Sequence, residues 1–445
     1  MRTLPVRLLT PFHGRSIGGM KVSRLALPAA VSLLIFGIGS TAYAAPRYEI
    51  HLDERDPLLV QASIHNPAKI LRIAALSQQR EGARRNSPAC HGRVLAELSP
   101  GAWQVPAGCE RVDWSTRISP LNESSAYDIA APGSVWDQEA GLWILTSSLP
   151  WLRGDGQDSA SVRISARLGG KSVSSTAVLP RDRSIPVAIV VGRPVRTFAA
   201  DGFTIRGFGH LPTAEADSWQ RQLASILADW RRDLLPAGTS TPARMNYVWL
   251  PRPIAGEPGL NASANSGSVL MQYIPAPNDI VPGPRLKVGI LMVGAHEAFH
   301  VLGAVRGGPA WVNESLATYF AVRSARPYLD QESLQLVQEF VNARDGRSLL
   351  NLQRAFNVGD GSAYPSFYAK GARFWAAIER VLAVRPNGSG KLSALIRQTE
   401  GLKGIDWSDG DQIAEYLDRY SEGRARAVVR CFVIEDNCPI AGDPI

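Results

Sequence analysis

Cysteine is scarce in this chain: four in 445 residues, at positions 90, 109, 431 and 438, with no C-x-x-C among them. That spacing excludes a zinc knuckle or finger. The four fall into two local pairs. Cys90–Cys109 and Cys431–Cys438 are therefore the expected disulfides, although four cysteines permit three connectivities. Long apolar runs are also missing. The longest candidate, Leu25 to Ile38, falls short of the roughly 18 residues that a membrane helix needs. It follows the basic start Met20-Lys21-Val22-Ser23-Arg24 and precedes Thr41-Ala42-Tyr43-Ala44. This is the layout of a secretory signal cleaved after Ala44, with Met20 an alternative start. Export to a periplasmic or extracellular space follows, where disulfides persist.

Strong charge of either sign is absent too. Residues 1–44 hold five basic side chains and no acid, so removing them lowers the net charge from +8 to +3. No basic helix or aromatic-interleaved basic strip is present, which excludes a nucleic-acid partner. There is no internal repeat and no low-complexity segment, and the 40 glycines and 31 prolines are dispersed rather than gathered into one linker. The length allows two or three domains, and 45% hydrophobic residues are enough to bury a core.

After the leader (1–44), residues 45–185 read as a β-rich domain. Tyr48–Leu52, Leu58–Ile64, Gly141–Thr146 and Ser161–Leu168 are short apolar or alternating runs between Gly, Pro, Ser and Asn breaks, which suggests a sandwich. From 186 to 325 the texture becomes mixed. Val187–Val191, Phe203–Phe208, Met245–Leu250 and Ser268–Ile274 read as strands, and Ala214–Leu235 carries a helical period. Leu286–Leu302 and Pro309–Val322 read as apolar helices. Residues 326–445 are expected to be mostly helical, with helices at Gln331–Asn342, Lys370–Val384, Lys391–Gln398 and Asp411–Ile434. The fold class is thus α+β: a β-sandwich-like domain, then a mixed domain with a helical C-terminal lobe.

The chemistry concentrates in His296-Glu297-Ala298-Phe299-His300. On a helix, positions i and i+4 share a face, so both imidazoles reach one ion, and Glu297 stands about 100° round the axis where it can act on a water there. The three are the only ionisable groups between Val288 and Val305. Burying them unpartnered would cost several kcal/mol, and a shared metal removes that cost. Thirteen residues separate His300 from Glu314, in Trp311-Val312-Asn313-Glu314-Ser315-Leu316-Ala317-Thr318-Tyr319-Phe320. The Gly307-Gly308-Pro309 turn can fold this second apolar helix back beside the first. His296, His300 and Glu314 are then three ligands of a zinc ion (Zn2+) with a fourth position open, the arrangement of a catalytic site.

HEAFH followed by WVNESLATYF resembles the gluzincin metallopeptidases, in particular the aminopeptidase N type with its HExxH and W-x-N-E-x-x-A-T-Y elements. The resemblance spans about residues 245–385 and implies a two-lobed thermolysin-like catalytic domain. Position by position, it implies His296, His300 and Glu314 as zinc ligands and Glu297 as base. Phe367-Tyr368-Ala369-Lys370-Gly371-Ala372 resembles the Y-x-K-G-A element of the family, implying that Tyr368 stabilises the oxyanion. The family's G-x-M-E-N strand, whose glutamate holds a substrate amine, is not found. The nearest segment is Gly267-Ser268-Val269-Leu270-Met271-Gln272-Tyr273, with Gln272 where the acid would stand, and only Asp279 is acidic between Glu257 and Glu297. Gln272 and Tyr273 are the candidate substrate contacts, on an edge strand that an extended peptide would join. The expected function is zinc-dependent peptide hydrolysis, with peptide or protein substrates and a lean to internal cleavage. The alternative is a catalytically silent zinc-site or envelope-assembly protein acting through the β-domain.

Overall fold

The structure is a computed structural model. It describes residues 47–437 except 74–85, 122–126, 128–131, 150, 155–159, 180–186, 211–213, 215, 237–242, 252–258, 266, 275–282, 306–307, 344 and 385–390. The proposed leader and its cleavage site lie outside the described residues, as do Cys438, Glu257 and Asp279.

The chain forms two compact units. Among the described residues, one gathers those within 47–117 and 151–179, the other those within 118–149 and 187–437. The first is all β where described. Its seven-stranded sheet runs, in spatial order, Lys171–Leu179, Ala160–Leu168, Arg47–Asp53, Leu59–His65, Arg111–Arg117, Ala89–Cys90 and Arg93–Val94. A four-stranded sheet accompanies it. Tyr48, Ile50 and Leu52 alternate with more exposed Arg47, Glu49 and His51, the period-2 pattern of a strand with one buried face. Cys90 and Cys109 are joined, as their spacing predicted. In the other unit Cys431 is also disulfide-bonded.

The second unit is built on a five-stranded sheet: β1 (Arg196–Ala200), β2 (Phe203–Gly209), β3 (Arg244–Trp249), β4 (Gly259–Asn265) and β5 (Ser268–Ile274), in the order β1-β2-β3-β5-β4. Strand β5 pairs parallel with β3 and antiparallel with β4. It is therefore internal, and the edge is β4. This corrects the expectation that Ser268–Ile274 forms the edge. The run Leu260-Asn261-Ala262-Ser263-Ala264-Asn265 has no β-branched or aromatic residue, so it carries little strand signal. Beneath one face of the sheet, Leu270, Phe208 and Val248 pack on a small sheet through Leu142, Ile144 and Val190. Against the other lie helix α1 (Ala216–Leu234) and the helices that follow, sharing the main core with Val269, Met271 and Tyr247.

A short helix, Pro284–Val288, widens into a π turn at Gly289–Val293 and continues as α2 (Gly294–Leu302). Gly303 ends α2 in the left-handed conformation (φ 64°), with its N–H on the carbonyls of Phe299 and His300. Next come α3 (Ala310–Ala325), Gln331–Val341, Leu349–Asn357, α4 (Tyr364–Ala383), Leu392–Gln398 and Gly410–Ser421. The expected single helix over 411–434 is broken, because Glu422 (φ 56°) and Gly423 (φ 81°) turn the chain before Ala425–Val429. Helix α4 begins six residues earlier than expected, with Pro365 in its first turn, where a missing N–H is harmless. None of the described helices is long and apolar enough to cross a membrane.

Candidate metal centre

The metal helix is seated by its apolar side. Phe299 stacks on Phe320 of α3 at 5.6 Å and meets the edge of Trp230 at 5.8 Å, while the Trp230 indole donates to Ser324 Oγ at 2.9 Å. These contacts lock α1, α2 and α3 together. Two glycines allow the close fit: a Cβ on Gly289 would stand 2.7 Å from Leu260 Cβ of β4, and one on Gly371 would stand 2.2 Å from Ser315 Cβ. The second contact brings α4 against α3 beside Glu314. There Trp375 Nε1 donates to Ser315 Oγ at 2.7 Å.

With the helices so placed, the opposite face of α2 meets Glu314. His296 Nε2 lies 3.0 Å from Glu314 Oε2, His300 Nε2 lies 3.4 Å from the same oxygen, and the two Nε2 atoms are 3.2 Å apart. One ligand atom from each residue falls within 4.8 Å of the others. His296 and Glu314 are buried and His300 is part-exposed. Burial opposes the Glu314 carboxylate, but His300 and His296 outweigh it and hold its pKa far below the usual range. Burial lowers the His296 pKa, against the opposing pull of Glu314. At His300 burial also lowers, but Glu314 prevails and the pKa rises. The two imidazole Nε2 atoms and an ionised carboxylate are turned on one point, where a cation could take all three as ligands. The donor set and its number suit zinc with one position open.

Glu297 is buried beside this cluster without belonging to it. Burial is the chief cause that pushes its pKa up to about 8, and the Glu314 charge adds to it. His300 and the Ala264 N–H of β4 oppose the rise. A carboxylate tuned this close to neutrality is suited to taking and returning a proton. Across the site, the Tyr368 ring lies 5.5 Å from that of His296 and 5.3 Å from that of Tyr364, one turn earlier on α4. Burial first, then Glu314 and Tyr364, raise the Tyr368 pKa far above the ordinary value, so its hydroxyl remains a proton donor.

The four residues read from the HExxH and WxNE segments thus converge, and Tyr368 stands with them. Gln272 does not. Period-2 alternation puts it with Leu270, on the sheet face away from α2, where its amide donates to the Pro251 carbonyl at 3.2 Å. Tyr273 is part-buried against the main core. Sequence reasoning overlooked Thr318, which touches His296, and held Tyr364, which flanks Tyr368, only as a substitute for it. The tyrosine lies one helical turn before Tyr368, a spacing visible in the sequence.

No protein-family profile and no curated protein matches the chain. Among solved structures it is similar to an aminopeptidase N family protein from Idiomarina loihiensis, with a TM-score of 0.56 and 14% identity over 84% of this chain and 73% of that one. The α+β fold is shared with that protein. An M1 zinc metallopeptidase from Deinococcus radiodurans aligns at a TM-score of 0.49 and 14% identity, over 90% of this chain and 96% of the other.

Proposed function

We propose that the chain is a zinc-dependent peptidase of the gluzincin type, acting outside the cytoplasm, where the Cys90–Cys109 disulfide persists. The observation that carries this reading is the convergence of His296, His300 and Glu314 with a buried Glu297 at their side that is not one of the three converging groups. A purely structural zinc site closes with four protein ligands and has no use for such an acid. Zinc held by His296, His300 and Glu314 would supply Lewis acidity and would bring the pKa of a nearby water towards about 7. Glu297 would accept a proton from the water that attacks the scissile carbonyl and return it to the leaving nitrogen as the C–N bond breaks. Tyr368 donates its hydroxyl to the carbonyl oxygen as negative charge develops there.

Strand β4 is the sheet edge nearest Glu297, and its Ala264 N–H reaches that carboxylate. An extended substrate adding to this edge would meet no acidic side chain on Gly259–Asn265, so nothing on β4 selects a free amine. This favours cleavage inside peptides.

Two measurements test the function. Protein purified without added metal should hold about one zinc per chain, and Glu297→Gln should keep that zinc while losing at least about a hundredfold in kcat on an unfolded protein substrate. Less than about a tenth of an equivalent of metal, with no uptake on titration, would sink the zinc reading. A Glu297→Gln variant as fast as the parent would remove Glu297 as the base.

A further inference from the structure

Thr318 lies on α3 one turn beyond Glu314, so the two share a face, just as His296 and His300 do on α2. Its Oγ1 donates to the Glu314 carbonyl at 2.8 Å. A threonine bonded back four residues along a helix is common, and alone it says nothing. The second contact is different. The same oxygen lies 3.1 Å from His296 Nδ1, across the gap between two helices, and the residue is only 2% exposed, so bulk water does not compete for it.

A hydroxyl has one proton and two lone pairs. With the proton engaged by Glu314, the oxygen can only accept from His296, which places the ring proton on Nδ1. A neutral imidazole then carries its free lone pair on Nε2, the atom that faces Glu314 Oε2 and His300 Nε2. We propose that Thr318 is a positioning residue of the metal centre: it fixes the tautomer and tilt of His296 while fastening that ligand to the helix that carries Glu314. One hydroxyl thereby ties two of the three ligands into a single unit before any ion arrives. A partner on the remote nitrogen of a ligand histidine typically changes metal affinity ten- to a hundredfold.

The inference rests on the zinc reading of the triad, and the experiment separates the two. Zinc affinity is measured by competition with a chromophoric chelator for the parent, Thr318→Ser and Thr318→Val, each checked for an unchanged circular dichroism spectrum. Valine keeps the shape and removes the hydroxyl, while serine keeps the hydroxyl. Thr318→Val should bind zinc about ten- to a hundredfold more weakly, with Thr318→Ser within about threefold of the parent. The 15N signals of His296 in zinc-loaded parent protein should show Nδ1 protonated. Valine binding within twofold of the parent, serine falling as far as valine, or a proton on Nε2 would each overturn the proposal. A parent chain that takes up no zinc would instead overturn the reading of the triad.

Discussion

Gly371→Ala adds a single methyl group where α4 crosses α3. The new Cβ would stand 2.2 Å from Ser315 Cβ and 3.1 Å from its Oγ. The first contact cannot be relieved by turning a side chain, because a Cβ is fixed to its backbone. Ordinary contact requires the helices to separate by about 1 Å at this point. Stability responds to two opposed effects. Alanine improves the helix by roughly 1 kcal/mol over glycine, and overpacking costs about 1–3 kcal/mol, so the net loss is about 0–2 kcal/mol and the variant folds. Activity responds more steeply. Ser315 adjoins Glu314, and Tyr368 precedes Gly371 by less than one turn, so the separation opens between the proposed ligand and the proposed oxyanion donor. A misplacement of about 1 Å at a reacting centre costs on the order of a hundredfold. The assay is kcat/KM on a fluorogenic peptide, read beside the melting temperature and zinc content. Adding Ser315→Gly removes the opposing Cβ and should restore at least tenfold, even though Trp375 Nε1 loses its acceptor. Activity of Gly371→Ala within threefold of the parent would refute the reasoning, and so would a second substitution that restores nothing.

Tyr368→Phe should lower kcat by about 3 kcal/mol, roughly a hundredfold, with little change in KM, because its hydroxyl is called on only as charge develops. An unchanged kcat would transfer the role to Tyr364 or abolish it. N-terminally acetylated and free forms of one peptide should be cut with kcat/KM values within about tenfold of each other, since β4 presents no carboxylate to an ammonium. A preference for the free amine above about a hundredfold would reveal an amine-binding acid elsewhere.

The metal centre was legible in the sequence because its spacing is a property of one helix. His296 and His300 share a face by periodicity, and an apolar run with three ionisable groups in it demands a reason for them. Glu314 could be read for the same cause, as a lone acid in an apolar helix. The substrate side was not legible. Apart from Leu260, strand β4 is made of small and polar residues that pair beside the strongly apolar β5, a preference imposed by a neighbour rather than by its own composition. Matching Gln272 to the family's acid put it at the site, whereas it lies on the sheet face away from α2. Thr318 was in view as part of A-T-Y, but its importance lies in a contact between helices, which no spacing along one helix encodes. The break at Glu422 had a visible sign in Gly423, and the apolar period on either side masked it.

The wide turn at Gly289–Val293 gives the chain a reserve of length just upstream of its ligands. A π turn holds about one residue more than the α-helical turn it replaces, while the helix on either side keeps its phase. Removing one residue there would let the turn contract to ordinary helix and leave His296 and His300 facing as before. Removing one between His296 and His300 would swing the second imidazole about 100° out of register. Over the same short helix, then, a length change is absorbed at one end and ruinous at the other. A deletion scan from Pro284 to Leu302 would trace that boundary one residue at a time.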